Sequence, residues 1–206
     1  MSEEIFNIEE YLNSLPDDIE ELDLSCKGLQ IFPNLNKFQN LKKLNISWNK
    51  LTYIISLNPS LEYLDCSYNK LTELPNYNEN LKIIQCSMNK LKTLPNNNEK
   101  IEGIFCYHNQ IEKLPDFNEN LLVINCSNNK LKELPQFNKK LINVYCDYNQ
   151  LENLPSFNEN LENISCSNTL LKTLPIFNKK LERIYIGYHN METYVGLTEI
   201  IPEFNL

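Results

Sequence analysis

The sequence predicts a solenoid of the α/β class. Short coils stack so that a curved parallel β-sheet lines one side, while the return side is mainly extended and helix is scarce. Three observations lead there. The chain repeats every 20 residues from Leu61 to Lys180 without insertion. Each unit begins with a short alternating apolar segment that runs into an asparagine-bearing turn, and each ends its apolar pattern on a Leu-Pro pair. Proline lacks an N–H and fixes φ, so it suits an extended leg and not a helix interior.

The units from Leu61 read LEYLDCSYNKLTELPNYNEN, LKIIQCSMNKLKTLPNNNEK, IEGIFCYHNQIEKLPDFNEN, LLVINCSNNKLKELPQFNKK, LINVYCDYNQLENLPSFNEN and LENISCSNTLLKTLPIFNKK. Residues 41–60 have the same length, residues 19–40 form a longer version, and 181–195 begin a ninth unit that decays. The expected organisation is an N-terminal cap over 1–18, a solenoid over 19–195 with eight full repeats and a partial ninth, and a C-terminal cap over 196–206.

In an extended segment alternate side chains face opposite ways. Leu61, Leu64, Cys66, Leu71 and Leu74 therefore point inward, and only stacking on neighbouring coils can bury them. Asn49, Asn69, Asn89, Asn109, Asn129 and Asn149 recur where each strand ends. A side-chain amide offers donors and an acceptor for the backbone of a buried turn, so these read as a structural ladder. Thr169 breaks it, and a looser turn is expected there. Phe117, Phe137, Phe157 and Phe177, with Tyr77, read as a second inward spine that Asn97 interrupts. Asn78, Asn98, Asn118, Asn138, Asn158 and Asn178 are expected to bond the backbone of the return leg.

The pattern L-x-x-L-x-[C/L/I]-x-x-N-x-L-x-x-L-P over roughly residues 15–195 resembles the leucine-rich-repeat family. The 20-residue length and Leu-Pro pair resemble its short bacterial effector subclass, with Phe-Asn (Phe117-Asn118 and its equivalents) where that subclass has a second Leu-Pro. The resemblance implies a right-handed solenoid whose variable surface binds other proteins. Some effectors of that subclass carry a ubiquitin-ligase domain after their repeats. With eleven residues after the last repeat here, that activity is not expected of this chain.

Composition narrows the partners. The net charge is −8, and Lys and Glu alternate without forming the basic stripe that meets phosphates, so nucleic acid is not expected. No segment reaches the roughly 18 consecutive apolar residues of a membrane helix, and the acidic start does not resemble a secretory signal. The expectation is an intracellular protein of a cell or of an infected host, with export lacking a recognisable signal left open. The chain has 33 asparagines, one arginine and no alanine, a bias that points to an AT-rich genome.

Six cysteines (Cys66, Cys86, Cys106, Cys126, Cys146, Cys166) lie 20 apart at an inward position where Leu24, Ile46 and Ile186 stand in other coils. Cysteine there acts as a small buried hydrophobe. A disulfide ladder is disfavoured because parallel Cβ vectors stay about 4.8 Å apart, and a flat row cannot supply a tetrahedral zinc site. Cys26 is out of register and is expected to be the most exposed thiol. His108 follows Cys106 by two residues, but alternation separates them, so no nucleophile pair forms. The four glycines build no phosphate loop. Neither catalytic residues, cofactor nor metal are expected.

The outward positions remain. Ile83, Phe105, Tyr107, Val123 and Tyr145 are expected to converge on the middle coils, flanked by Trp48, Tyr63, Tyr68, Met88, His108 and Tyr148. Aromatic and Met side chains with little charge, rimmed by Asn and Ser, resemble an interface core. These eleven residues are the candidate protein-binding site. The alternative is a structural component that associates with its own copies; a monomer is expected, with a weak dimer through an end as its variant. Ser2–Ser14 reads as an amphipathic capping helix presenting Ile5, Ile8 and Leu12. Leu197, Ile200, Ile201 and Phe204 are expected to fold over the ninth coil.

Overall fold

The computed structural model describes residues 6–187, Asn97 excepted. One helix, α1 (Ile8–Ser14), precedes nine strands: β1 (Glu21–Asp23), β2 (Lys43–Asn45), β3 (Tyr63–Asp65), β4 (Ile83–Gln85), β5 (Gly103–Phe105), β6 (Val123–Asn125), β7 (Asn143–Tyr145), β8 (Asn163–Ser165) and β9 (Arg183–Tyr185). They form one parallel sheet in sequence order. Each strand is one coil further along a right-handed solenoid.

The register follows the repeat. Leu44, Leu64, Ile84, Ile104, Ile124, Val144 and Ile164 are paired strand to strand and lie within the core. Glu21 pairs with Lys43, so the two extra residues of the first unit are absorbed outside the sheet. Cys66 to Cys166 form the adjacent inward column, all six buried. Burying a leucine-sized side chain contributes roughly 1.5–3 kcal/mol, and here each does so against the coils above and below.

Two asparagine ladders hold the coils together. In the first, Asn129 donates to the carbonyls of Cys106 and Cys126 at 3.0 Å, and its Oδ1 accepts from Ile111 N–H at 2.9 Å. Asn49, Asn69, Asn89, Asn109 and Asn149 repeat the arrangement. The second runs along the return leg. Asn138 donates to Asn118 O and Leu121 O, and Asn158 to Asn138 O and Leu141 O. Beside it Phe117, Phe137, Phe157 and Phe177 stack at 5.8–6.2 Å. Tyr77 is buried too, and among the described residues its hydroxyl has no hydrogen-bond partner. The expected gap at Asn97 lies outside the described residues.

Two expectations need correction. Thr169 does not loosen its turn: Asn168 keeps φ +54° and Leu170 N–H still reaches Leu151 O at 2.8 Å. What changes is the side chain, because Thr169 Oγ1 donates to Cys166 O within its own coil. No bond from it to the preceding coil replaces those an asparagine makes. At the N-terminus the helix begins at Ile8. Asn7 caps it, its Oδ1 accepting from Glu10 N–H at 3.2 Å, as short polar side chains do at helix starts. Leu12 is buried and Ile8 packs against the core; Ile5 lies outside the described residues. So do the expected C-terminal residues Leu197, Ile200, Ile201 and Phe204.

Candidate protein-binding surface

The sheet's open face is built from the outward strand positions and from the residue that turns the chain out of each strand. That turning residue has positive φ in every described coil that carries it: Cys26, Trp48, Tyr68, Met88, His108, Asn128, Tyr148 and Asn168, all between +52° and +57°. The left-handed region costs an ordinary L-residue about 1–2 kcal/mol and is tolerated best by Gly and Asn. Two coils use Asn. Six use other residues, four of them large side chains with an aromatic or imidazole ring.

These residues form a ridge beside the sheet. Trp48 and Tyr68 stack with ring centroids 3.9 Å apart. Met88 and His108 continue the ridge, and Tyr107 meets His108 edge-on at 5.8 Å. The Tyr107 side chain also reaches back to those of Ser87 and Tyr68, and burial raises its hydroxyl pKa above the ordinary tyrosine value. A shallow groove of about 560 Å³ runs along the ridge, lined also by Asn69, Asn89, Asn109, Gln110 and Asn128.

On the sheet itself Gly103 makes room for a second cluster. A Cβ at Gly103 would stand 3.4 Å from Phe105 Cε2, 3.4 Å from Val123 Cγ1 and 3.7 Å from Ile83 Cγ1. Phe105, Val123 and Ile83 therefore close over the glycine as one half-buried apolar patch. Tyr63 lies on the adjoining strand, where Gln85 Nε2 donates to its hydroxyl at 2.8 Å. Burial raises the Tyr63 pKa as well.

The candidate residues do not form a single patch. Asn125 lies between Phe105 and Tyr145 in the register, and Asn128 stands between His108 and Tyr148 on the ridge. Tyr145 and the exposed Tyr148 thus form a separate station and do not converge with Phe105 as expected. The serine column also differs from a fully outward reading. Ser47, Ser67, Ser87 and Ser127 are buried, and at Ser87 the larger Tyr107 side chain reaches back over the serine. Sequence reasoning missed the groove-lining Gln110 and Asn128. For Asn128 the signal was the position before each ladder asparagine, where Asn at 128 and 168 marks a left-handed turn; Gln110, one place after Asn109, carries no such signal.

Cys106 is fully buried and His108 is exposed, so they point apart. The seven cysteines are thiols, and Cys26 is the exposed one. Among the described residues no three His, Cys, Asp or Glu side chains gather as a metal site, and no helix is long and apolar enough to cross a membrane.

No family model matches the sequence, and no curated protein matches it. Solved structures do. The leucine-rich effector YopM from Yersinia pestis superposes with a TM-score of 0.79 at 38% identity, over 82% of this chain and 49% of that one. The chain has the leucine-rich-repeat fold. A Shigella effector leucine-rich-repeat domain matches this leucine-rich-repeat chain with a TM-score of 0.69 at 28% identity, over 80% of this chain and 74% of that one. YopM from Yersinia enterocolitica WA-314 shares the fold, with a TM-score of 0.70 at 24% identity, over 84% of this chain and 42% of that one. The leucine-rich repeats here resemble the bacterial-effector type, and the chain spans half or less of the two YopM structures.

Proposed function

We propose that this leucine-rich-repeat protein is a non-catalytic scaffold that binds a partner protein on its concave face. The contact would centre on the Trp48–His108 ridge and the Phe105 patch. One observation carries the reading. Six ridge positions hold strained residues other than Asn or Gly although Asn128 and Asn168 make the same turn. Local strain of this kind accumulates where side chains are needed for contact. Aromatic, Met and His side chains with little charge are also what interface cores favour. The similar structures are described as effectors, which supports a role inside a cell, its own or a host's.

The test uses the purified protein as bait in a cell lysate beside a Met88→Glu/Phe105→Glu variant of matched circular dichroism and melting temperature. A protein captured by the wild type and lost with the variant supports the reading. Equal capture by both, or capture by neither, overturns it.

A second reading, association between copies through the last coils, is favoured by the exposed Leu170, Ile176 and Tyr185. Light scattering across concentration separates the two: growth of the scattering mass supports association, and a constant monomer removes it.

A further inference from the structure

We propose that the concave face receives an arginine side chain of the partner at Asp65, framed by Tyr63, Tyr107 and the Trp48–Tyr68 stack. The proposal rests on the concave face being the binding face.

Asp65 carries a charge that the scaffold does not use. Its Oδ1 accepts from Ser67 N–H at 2.9 Å, closing the turn at the end of β3. Asn45 does the same for Ser47 at 3.0 Å and Asn125 for Ser127 at 3.1 Å. The turn needs one Asx oxygen, and neutral asparagine supplies it. Asp65 is half-buried and lies between Asn45 and Gln85 in the register. Among the described residues no Lys or Arg pairs with it, and the cation of the neighbouring strand, Lys43, is held by Glu21 at 2.6 Å. The other acids of the face differ. Asp23 is held by the Ser25 side chain and N–H and by the Asn45 side chain, with the Lys27 charge adding to them, while Asp147 accepts from Ser165 Oγ at 2.6 Å and Ser167 N–H at 2.7 Å.

The surroundings of Asp65 are aromatic. Tyr63 stands two residues before Asp65 on the same face of β3. Tyr107 hydrogen-bonds through its side chain to Tyr68, which lies flat on Trp48. After burial, the Asp65 charge adds to the raised pKa of both Tyr63 and Tyr107. Ring faces attract a cation, and a carboxylate beside them fixes where it sits. Guanidinium fits better than ammonium, because it is planar, stacks on rings and can meet a carboxylate through two parallel N–H bonds. The net charge of −8 favours approach of a basic segment.

Trp48 is the single tryptophan of the chain, so its fluorescence reads this site alone. The probes are acetylated, amidated tri-arginine, tri-lysine and tri-glutamine peptides, titrated into the full chain and into Asp65→Asn. The variant keeps the turn oxygen, and an unchanged melting curve checks its fold. The expected result is a saturable change with tri-arginine, a weaker one with tri-lysine and none with tri-glutamine. The tri-arginine midpoint should rise about tenfold in Asp65→Asn and should rise with salt. An equal response to tri-glutamine or tri-lysine, or an unchanged midpoint in Asp65→Asn, overturns the proposal. So does a wild-type dimer in sedimentation that Arg183→Gln dissolves, since the occupant is then a second copy. The two readings fail separately: an Asp65→Asn bait that still captures a protein lost with Met88→Glu/Phe105→Glu removes the arginine site and leaves the binding face standing.

Discussion

Trp48 lies flat on Tyr68, with ring planes 9° apart, and both residues hold left-handed backbone, at φ +56° and +55°. The stack returns part of what the backbone costs. An aromatic pair contributes about 0.5–1.5 kcal/mol beyond its area, against about 1–2 kcal/mol for each left-handed residue. Tyr148 has the same backbone, φ +52°, is 56% exposed and has no stacking partner among the described residues. Replacing it with asparagine should therefore raise stability by about 1 kcal/mol, read as a higher urea midpoint at unchanged slope. Trp48→Asn loses the stack as it relieves the backbone and should change the midpoint little. A lower midpoint for Tyr148→Asn would show that the ridge is not strained.

The ladder makes a paired prediction. Asn129→Ala removes a buried amide that serves Cys106 O, Cys126 O and Ile111 N–H. Stranding buried backbone groups costs about 1–3 kcal/mol, and the loss should lie at the upper end of that range. Thr169→Asn does the reverse. It supplies an acceptor for Leu151 N–H and a donor for Cys146 O, where the other coils already have them, and should add about 1 kcal/mol. Chemical denaturation of both variants reads the difference, and a destabilised Thr169→Asn would mean that the last coils do not share the common register.

Most of this architecture could be read from the residues. Leu64, Cys66, Asn69, Leu71 and Pro75 each have one physical reason to be where they are. The 20-residue period repeats those reasons, so strand positions, register and inward faces followed. The left-handed ridge did not, because φ at Trp48 or Met88 has no hydrophobic signature, and only Asn128 and Asn168 hint at it. The burial of Ser67 and Ser87 was hidden for a related cause: alternation gives a side chain's direction but not the overhang of its neighbours. The break between Phe105 and Tyr145 was visible in the columns as Asn125, yet a list of aromatic residues passes over it.

The cysteine column predicts a pH dependence. Burial raises the thiol pKa of Cys66, Cys86, Cys106, Cys126, Cys146 and Cys166 above the ordinary value of 9.0, to about 12 for Cys166. The unfolded chain releases these protons first. The stability they contribute is thus whole below pH 9 and is lost as pH rises toward the folded values. The melting temperature should be flat from pH 7 to about 8.5 and fall steeply above it. Iodoacetamide at neutral pH should modify Cys26 alone in the folded protein and all seven thiols in denaturant. Rapid labelling of further cysteines in the folded state would contradict the buried column.

The central claim is that a partner sits on the concave face, and oxidative footprinting of the captured complex tests it most directly. The account predicts that Trp48, Met88 and Phe105 lose reactivity on binding while Tyr53, Ile55 and Ile31, exposed outside the candidate patch, keep theirs. Protection of Tyr53, Ile55 and Ile31 with Trp48 and Met88 unchanged would contradict it and move the interface off the sheet.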